Sequence, residues 1–180
     1  MEALTFIPVA TAGQIDTLAT LAKEVWTEHY ASILAPEQVE YMVETFQSAA
    51  AVERQLREQG YRYYLVCRGG RPAGYMGLQP GEGKLFLSKL YLLKEARGRG
   101  FARQMLAFME GYCRALNLSA IWLTVNRHNS GSIAAYEKMG FATVREQKAD
   151  IGNGFVMDDF VMEKPVLGGC FVPWFYRRMY

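Results

Sequence analysis

Apolar and polar positions alternate at two rhythms along the chain. "LTFIPVA", residues 4–10, reads as a first short strand. From Thr11, a residue type suited to capping a helix, the rhythm slows. Ile15, Leu18, Leu21, Ala22, Val25 and His29 then share one face, which predicts a helix to about His29. Pro36 opens a second helix in its first turn, with Val39, Met42, Val43 and Phe46 on its apolar face. Ser48 caps a third, short helix that ends at Gly60. Three strands follow, "YRYYLVCR", "PAGYMGLQP" and "KLFLSKLYLL". The glycine-rich turns between them are short, which makes them antiparallel neighbours. A glycine and arginine loop comes after Lys94. Beyond it, Phe101, Met105, Phe108, Met109, Tyr112 and Leu116 recur at a helical period. "AIWLTV" is a fifth strand. A long helix between two apolar strands implies a parallel pair and a right-handed crossover. A helix over about Ser130–Met139, stopped by Gly140, and two closing strands, "ATVREQKA" and "VMDDFVMEK", complete the pattern.

Composition narrows the class. A chain of 180 residues suits one domain, here residues 1–166, with an aromatic extension over 167–180. Its 51% hydrophobic and 21% charged residues are ordinary for a soluble globular protein. The net charge of +2, with both signs interspersed, argues against nucleic acid as a partner. No apolar run approaches the ~20 residues that span a bilayer, so no membrane role is expected. The acid at position 2 and the short apolar patch after it do not make a secretory signal. Cys67, Cys113 and Cys170 lie far apart without metal-ligand spacing, so neither a metal nor a disulfide framework is expected, and a reducing cytoplasm fits best. Cys113 falls on the apolar stripe of its helix and reads as a buried thiol. The tail "PVLGGCFVPWFYRRMY" reads as a docked extension or a subunit contact, with a membrane-surface or partner role as the alternative.

Two stretches carry chemistry. In "RGRGFA", Arg97–Ala102, the glycines at 98 and 100 let backbone approach a ligand closely. The first amides of the following helix lack internal partners and sit at the positive end of its dipole, a ready anion site. Arg97, Arg99 and Arg103 add charge suited to phosphate, and a pyrophosphate is the natural guest. Taken alone the segment reads nearly as well as a tight turn with solubilising arginines. It lacks the GKS or GKT ending of a Walker A loop and the GxGxxG of a dinucleotide fold, so ATP and NAD fit poorly. The second stretch is "LTVNRHNSGSIAAYEKMGF", Leu123–Phe141, where a strand leads to Asn126 and Asn129 and a short helix carries Tyr136.

With both stretches in place, the chain resembles the GNAT superfamily of N-acetyltransferases over roughly residues 2–164. Arg97, Gly100 and Ala102 stand where that family has its Q/R-x-x-G-x-G/A acetyl-CoA loop, and "NSGSIAAYEKMGF" is similar to its following segment. The resemblance implies an α/β (α+β) fold: a mixed, mostly antiparallel sheet of about seven strands flanked by helices. In that fold a bulged fourth strand splays from the parallel fifth. The pantetheine arm would pair with backbone of Leu90, Tyr91 and Leu92. Arg97, Gly98, Arg99, Gly100, Phe101, Ala102 and Arg103 would hold the pyrophosphate. Asn129 would bind the arm from the other side, with Tyr136 near the thioester sulfur as cofactor contact and general acid. A phenol of pKa ~10 stays protonated at neutral pH and can donate to the departing thiolate.

The general base is less evident. A primary ammonium costs roughly 4–5 kcal/mol to deprotonate at pH 7. Many GNATs carry a Glu on the fourth strand, but "LFLSKLYL" has Ser88 and Lys89 there and no acid. Glu28 and His29, at the end of the first helix, are the alternative candidates for base or acceptor contact, since a His titrates in the useful range. A water-relayed path is the other route. The closest look is to the spermidine/spermine N-acetyltransferase branch. A cationic acceptor would then meet Glu24, Glu28, Glu40, Glu44 and one of Asp158 and Asp159, which alternate across a strand. The implied activity is direct acetyl transfer from acetyl-CoA, without metal, to a small primary amine such as a polyamine. A protein N-terminal or lysine acceptor and a non-catalytic CoA sensor are the alternatives, and a homodimer is left open.

Overall fold

Thr11 does cap the first helix, α1 (Ala12–Tyr30). Its hydroxyl accepts the Gln14 N–H, and the Gln14 side chain accepts the Thr11 N–H in return, a reciprocal capping box. The computed structural model describes residues 2–166. Pro36 opens α2 (Pro36–Gln47), and the Ser48 hydroxyl accepts from Ala51 N–H to start α3 (Ala49–Glu58). The strands are β1 (Leu4–Pro8), β2 (Arg62–Arg68), β3 (Arg71–Pro80), β4 (Lys84–Leu92), β5 (Ala120–Asn126), β6 (Ala142–Gly152) and β7 (Phe155–Pro165). They form one sheet in the order β1-β2-β3-β4-β5-β7-β6. Every neighbouring pair is antiparallel except β4 and β5, which are parallel and joined through α4 (Phe101–Ala115). The last helix is α5 (Ser130–Lys138).

Two layers of helix cover the sheet. On one face, Phe101, Met105, Leu106, Met109 and Cys113 of α4, with Tyr136 and Met139 at their margin, pack on Leu85, Leu87, Ile121 and Leu123. On the other face, α1 and α3 pack Leu18, Ala22 and Val52 against Tyr63, Leu65 and Tyr75. Farther along, Trp26 and Tyr30 of α1 and Met42 of α2 meet Met157. Leu116, expected on the α4 stripe, is 47% exposed, because the helix stops one residue earlier and Leu116 is its C-cap. The closing strands run longer than their apolar runs. A tight turn with Asn153 and Gly154 at positive φ joins them into a hairpin. The aromatic extension from Leu167, with Cys170, lies outside the described residues. Cys67 and Cys113 are buried free thiols.

Two irregularities shape the middle of the sheet. β4 and β5 pair only over Lys84–Phe86 and Ala120–Trp122, and separate beyond that point. In β4 the register against β3 skips at Ser88: Gly77 faces Lys89, whereas Leu78 faces Leu87. Such an extra residue bends its strand. Gly77 makes the bend feasible, since a Cβ there would come within 2.8 Å of the Tyr63 ring and 3.3 Å of the Lys89 side chain.

Candidate active site

The split between β4 and β5 opens into a cavity of about 720 Å³. β4 contributes Leu90, Tyr91 and Leu92 to its wall, and the loop and first turn of α4 contribute Arg97, Gly98 and Gly100–Arg103. Asn129, Tyr136 and His29 close the other sides. Gly98 and Gly100 both take positive φ, +72° and +77°, and Gly100 is the left-handed N-cap of α4. Side chains rarely adopt that conformation, so glycine there turns the chain tightly enough to present the start of the helix to the cavity. The amides of Arg97 and Arg103 already bond Lys94 O and Gly100 O, so any contact these two residues make with a ligand falls to their side chains. Arg99 lies off the cavity, with its Nε donating to Glu95 O at 2.9 Å.

Arg97 also ties the loop to α1. Its Nε donates to Leu92 O at 3.0 Å, and its two terminal nitrogens bond the Glu28 carboxylate at 3.1 and 2.6 Å. That bidentate contact holds the Glu28 carboxyl below its ordinary pKa. Glu28 is therefore an ionised partner of Arg97, off the cavity wall and weak as a base. Next to it, His29 Nε2 lies 2.9 Å from Asn129 Nδ2. Asn129 Oδ1 caps α5 by accepting Ser132 N–H, so its amide nitrogen is the donor and the imidazole accepts. Burial, then the charge of Arg97, pushes the His29 pKa down. A neutral His29 thus clamps α1 to the start of α5, which accounts for a histidine on an apolar helix face.

The opposite side of the split is aromatic. Tyr30 and Tyr91 hydroxyls are 3.1 Å apart, and the Tyr91 ring also packs on Trp26 and Tyr75 at 5.5 Å each. Trp26 Nε1 donates to Tyr75 OH at 2.9 Å. Burial pushes the phenol of Tyr136 well above its ordinary range, and the nearby Tyr30 adds to the effect. Tyr136 therefore stays protonated at any working pH.

Two buried ionisable groups flank this aromatic wall. Asp159 is 6% exposed, and among the described residues its Oδ1 is the one buried side-chain oxygen or nitrogen without a hydrogen-bond partner. It shares a strand face with Met157, toward Trp26 and Tyr30. Burial, then the charge of Asp158, raises its pKa to about 6. Asp158 points the other way and pairs with Arg127 at 2.7 Å and Lys148 at 3.6 Å. Lys89 is also 6% exposed. Its Nζ lies 2.9 Å from Ser88 Oγ, and over the rings of Tyr61 and Tyr63 at 5.1 and 5.6 Å. Burial lowers its pKa to about 7. Glu24, Glu40 and Glu44 lie exposed on the outer helices. Among the described residues no cluster of His, Cys, Asp or Glu could hold a metal ion, and no helix is long and apolar enough to cross a membrane.

Residues 18–141 match the Acetyltransferase (GNAT) family. The chain belongs to that family. Among curated relatives, an uncharacterized N-acetyltransferase from the pepI 3' region of Lactobacillus delbrueckii subsp. lactis is 22% identical over 155 residues, 82% of this chain and 89% of the relative. An uncharacterized N-acetyltransferase of Mycobacterium tuberculosis is 28% identical over 127 residues, 70% of this chain and 81% of the relative. Among solved structures, the PaiA N-acetyltransferase of Thermoplasma acidophilum in complex with coenzyme A superposes with a TM-score of 0.75 at 22% identity, covering 91% of this chain and 99% of that one. The spermidine N-acetyltransferase of Vibrio cholerae, in complex with CoA and spermine, gives 0.66 at 19% identity, over 91% and 95%. The GNAT fold, with its seven-stranded sheet and parallel β4/β5 pair, is thus the fold of this chain, and its activity is that of an N-acetyltransferase.

Within this GNAT protein the structure brings together the expected loop, β4 backbone, Asn129, Tyr136 and His29, and leaves Arg99 and Glu28 outside the cavity. Sequence reasoning missed Tyr30, whose hydroxyl meets Tyr91, and the burial of Lys89. One signal pointed to each. Tyr30 follows His29 at the end of the apolar α1 face, and Lys89 interrupts an apolar strand.

Proposed function

We propose that this GNAT protein transfers acetyl directly from acetyl-CoA to the primary amine of a small cationic acceptor, a polyamine first among the candidates. One observation carries the reading. A single cavity runs from the glycine–arginine loop, through the gap between β4 and β5, to the wall of Tyr30, Tyr91 and Tyr136. The pyrophosphate would rest on the first turn of α4 with Arg97 and Arg103, and the pantetheine arm along Leu90–Leu92, where β4 no longer pairs with β5. Asn129 would flank the arm. Tyr136, held protonated by burial, would hydrogen-bond to the sulfur and protonate the leaving thiolate. Asp159 supports a cationic acceptor: it is a buried carboxylate on the α1 side whose Oδ1 has no partner. An ammonium arriving beside it would supply the missing contact. His29 would act by positioning Asn129 and α5, and Glu28 by holding Arg97. The supply of acetyl-CoA favours a cytoplasmic setting.

A thiol-release assay with acetyl-CoA tests the reading across polyamines, simple monoamines, and peptides with free N-termini or lysines. Turnover is expected with the polyamines, with Asp159→Asn raising KM for them by about tenfold or more. CoA binding without turnover of any amine would reject the transferase assignment in favour of a sensor. Turnover of peptides alone would move the acceptor to protein.

A further inference from the structure

Lys89 is a cation-forming group in a place that gives it nothing to pair with. It is 6% exposed on β4, and its Nζ meets Ser88 Oγ at 2.9 Å rather than a carboxylate. From β2 and the turn before it come the Tyr63 and Tyr61 rings, and from β3 comes Gly77, whose lack of a side chain leaves room for the lysine stem. The Tyr63 hydroxyl is engaged with Gln55 of α3. Tyr61 OH approaches the same Ser88 Oγ at 3.4 Å. The two rings weakly favour an ammonium, but burial outweighs them and lowers the pKa to about 7. Near neutral pH a large share of Lys89 is therefore a free amine with a lone pair available.

Ser88 connects this amine to the cavity. It is the extra residue of the β4 bulge, and it lines the same cavity as Tyr136, Tyr30 and the cofactor loop. The bulge therefore puts a cavity-lining serine and a buried amine on consecutive residues, their Oγ and Nζ in hydrogen-bond contact, at the point where the strands part. Packing alone does not call for a lysine in an aromatic cage, where a Met or Leu would fill the same space without desolvating a cation.

Building on the transferase reading above, we propose that Ser88 and Lys89 form the proton-accepting pair for the acceptor amine. The acceptor ammonium hydrogen-bonds to Ser88 Oγ. Its proton passes to the serine oxygen as the serine proton passes to Lys89 Nζ. The acceptor becomes R–NH₂ and Lys89 becomes an ammonium. The amine lone pair then forms the C–N bond to the thioester carbon. The C–S bond breaks, and the thiolate leaves as a thiol on taking the proton displaced from the new amide nitrogen by way of Tyr136. Lys89 returns its proton to solvent when the products depart. Asp159 holds the cation, whereas the Ser88–Lys89 pair removes its proton.

The pH profile of kcat/KM with an acceptor from the amine panel tests this, measured for the unmodified enzyme and for Lys89→Met, Lys89→Arg, Ser88→Ala and Asp159→Asn. The unmodified enzyme should gain activity through an ionisation near pH 7. Lys89→Met should lose that acid limb and at least tenfold in kcat at pH 8, with CoA affinity within twofold. Lys89→Arg should not rescue it, since a guanidinium does not deprotonate. Ser88→Ala should follow Lys89→Met. NMR of the enzyme labelled at lysine Cε should show one resonance, absent from Lys89→Met, that titrates near pH 7. An unchanged limb in Lys89→Met, a limb lost only in Asp159→Asn, or a Lys89 resonance titrating above pH 9 would overturn the proposal. Thiol release with the unmodified enzyme alongside any of those results leaves the transferase reading standing. No thiol release with any amine removes that reading and the relay together.

Discussion

The two sides of the β4/β5 split treat charge in opposite ways. On the α4 side, the Arg97–Arg103 loop presents backbone amides and guanidinium groups to open water, and Arg97 is balanced by Glu28. Each group there is solvated or paired before any ligand arrives. On the α1 side, ionisable groups are buried instead: Lys89 with a hydroxyl and two aromatic rings but no carboxylate against its amine, and Asp159 with an oxygen that has no hydrogen-bond partner. An open anion site can afford a ligand that comes and goes, because its empty state is solvated. A buried amine and a buried carboxylate are each poor at being charged, and a group poor at being charged can exchange protons near neutral pH. On the function proposed above, the first side does the holding and the second the chemistry.

Gly100→Glu should break the holding side most severely. It places a side chain on a residue at φ +77° and a carboxylate where an anion is expected. CoA binding measured by calorimetry should fall by about a hundredfold or more; normal affinity would mean the pyrophosphate lies elsewhere. Tyr136→Phe should leave CoA affinity nearly intact and lower kcat about a hundredfold. Unchanged turnover and pH profile would remove Tyr136 as the acid.

The chemical side should show itself in stability before activity. The Lys89 pKa is about 7 in the folded chain against ~10.4 unfolded. The folded state therefore loses stability as pH falls from about 10 through 7. Lys89→Met should raise the unfolding free energy most at pH 6–7, by up to ~4 kcal/mol at ~1.4 kcal/mol per pH unit, and the accompanying rise in melting temperature should fade by pH 10. Asp159 is raised to about 6, so its ionisation destabilises the fold in the opposite direction. Asp159→Asn should stabilise increasingly as pH rises from 4 through 6. Melting scans across pH 4–10 check both, and two parallel curves would mean that neither group is as buried as described. The smallest effect belongs to Glu28→Gln. The half-exposed Arg97 pair contributes roughly 0–1 kcal/mol, and freeing Arg97 should tighten CoA binding two- to threefold at low salt. A tenfold loss would show instead that Glu28 sets the loop's geometry.

What the sequence revealed follows the same division. The anion loop and the "NSGSIAAYEKMGF" segment are written in consecutive residues, so their chemistry is local and readable. The α1 face, the Thr11 and Ser48 caps and the parallel crossover are also local patterns, and they appear where the sequence pattern puts them. Leu116 failed because period alone does not say where a helix stops. The end of β6 lies beyond the apolar pattern because β6 is an edge strand with an almost fully exposed face, leaving no apolar alternation to follow. The α1 side of the split joins residues from α1, β4 and β7 that are far apart along the chain, as Tyr30, Tyr91 and Asp159 are. Asp158 and Asp159 were both visible, but only the pairing of Asp159 with Asn126 on β5 decides which one turns inward. Lys89 looked like an ordinary polar residue until Tyr61, Tyr63 and Gly77 closed around it.

A parallel pair that shares three rungs and then parts leaves the rest of β4 as an unfinished ladder. Whatever occupies the gap and bonds to Leu90–Leu92 completes it, acting as a strand that is not part of the chain. Occupancy then counts toward folding: a ligand at a hundred times its dissociation constant adds ~2.7 kcal/mol to the stability of the protein that holds it. The resistance of the fold to heat and proteolysis becomes a gauge of how much free cofactor surrounds it.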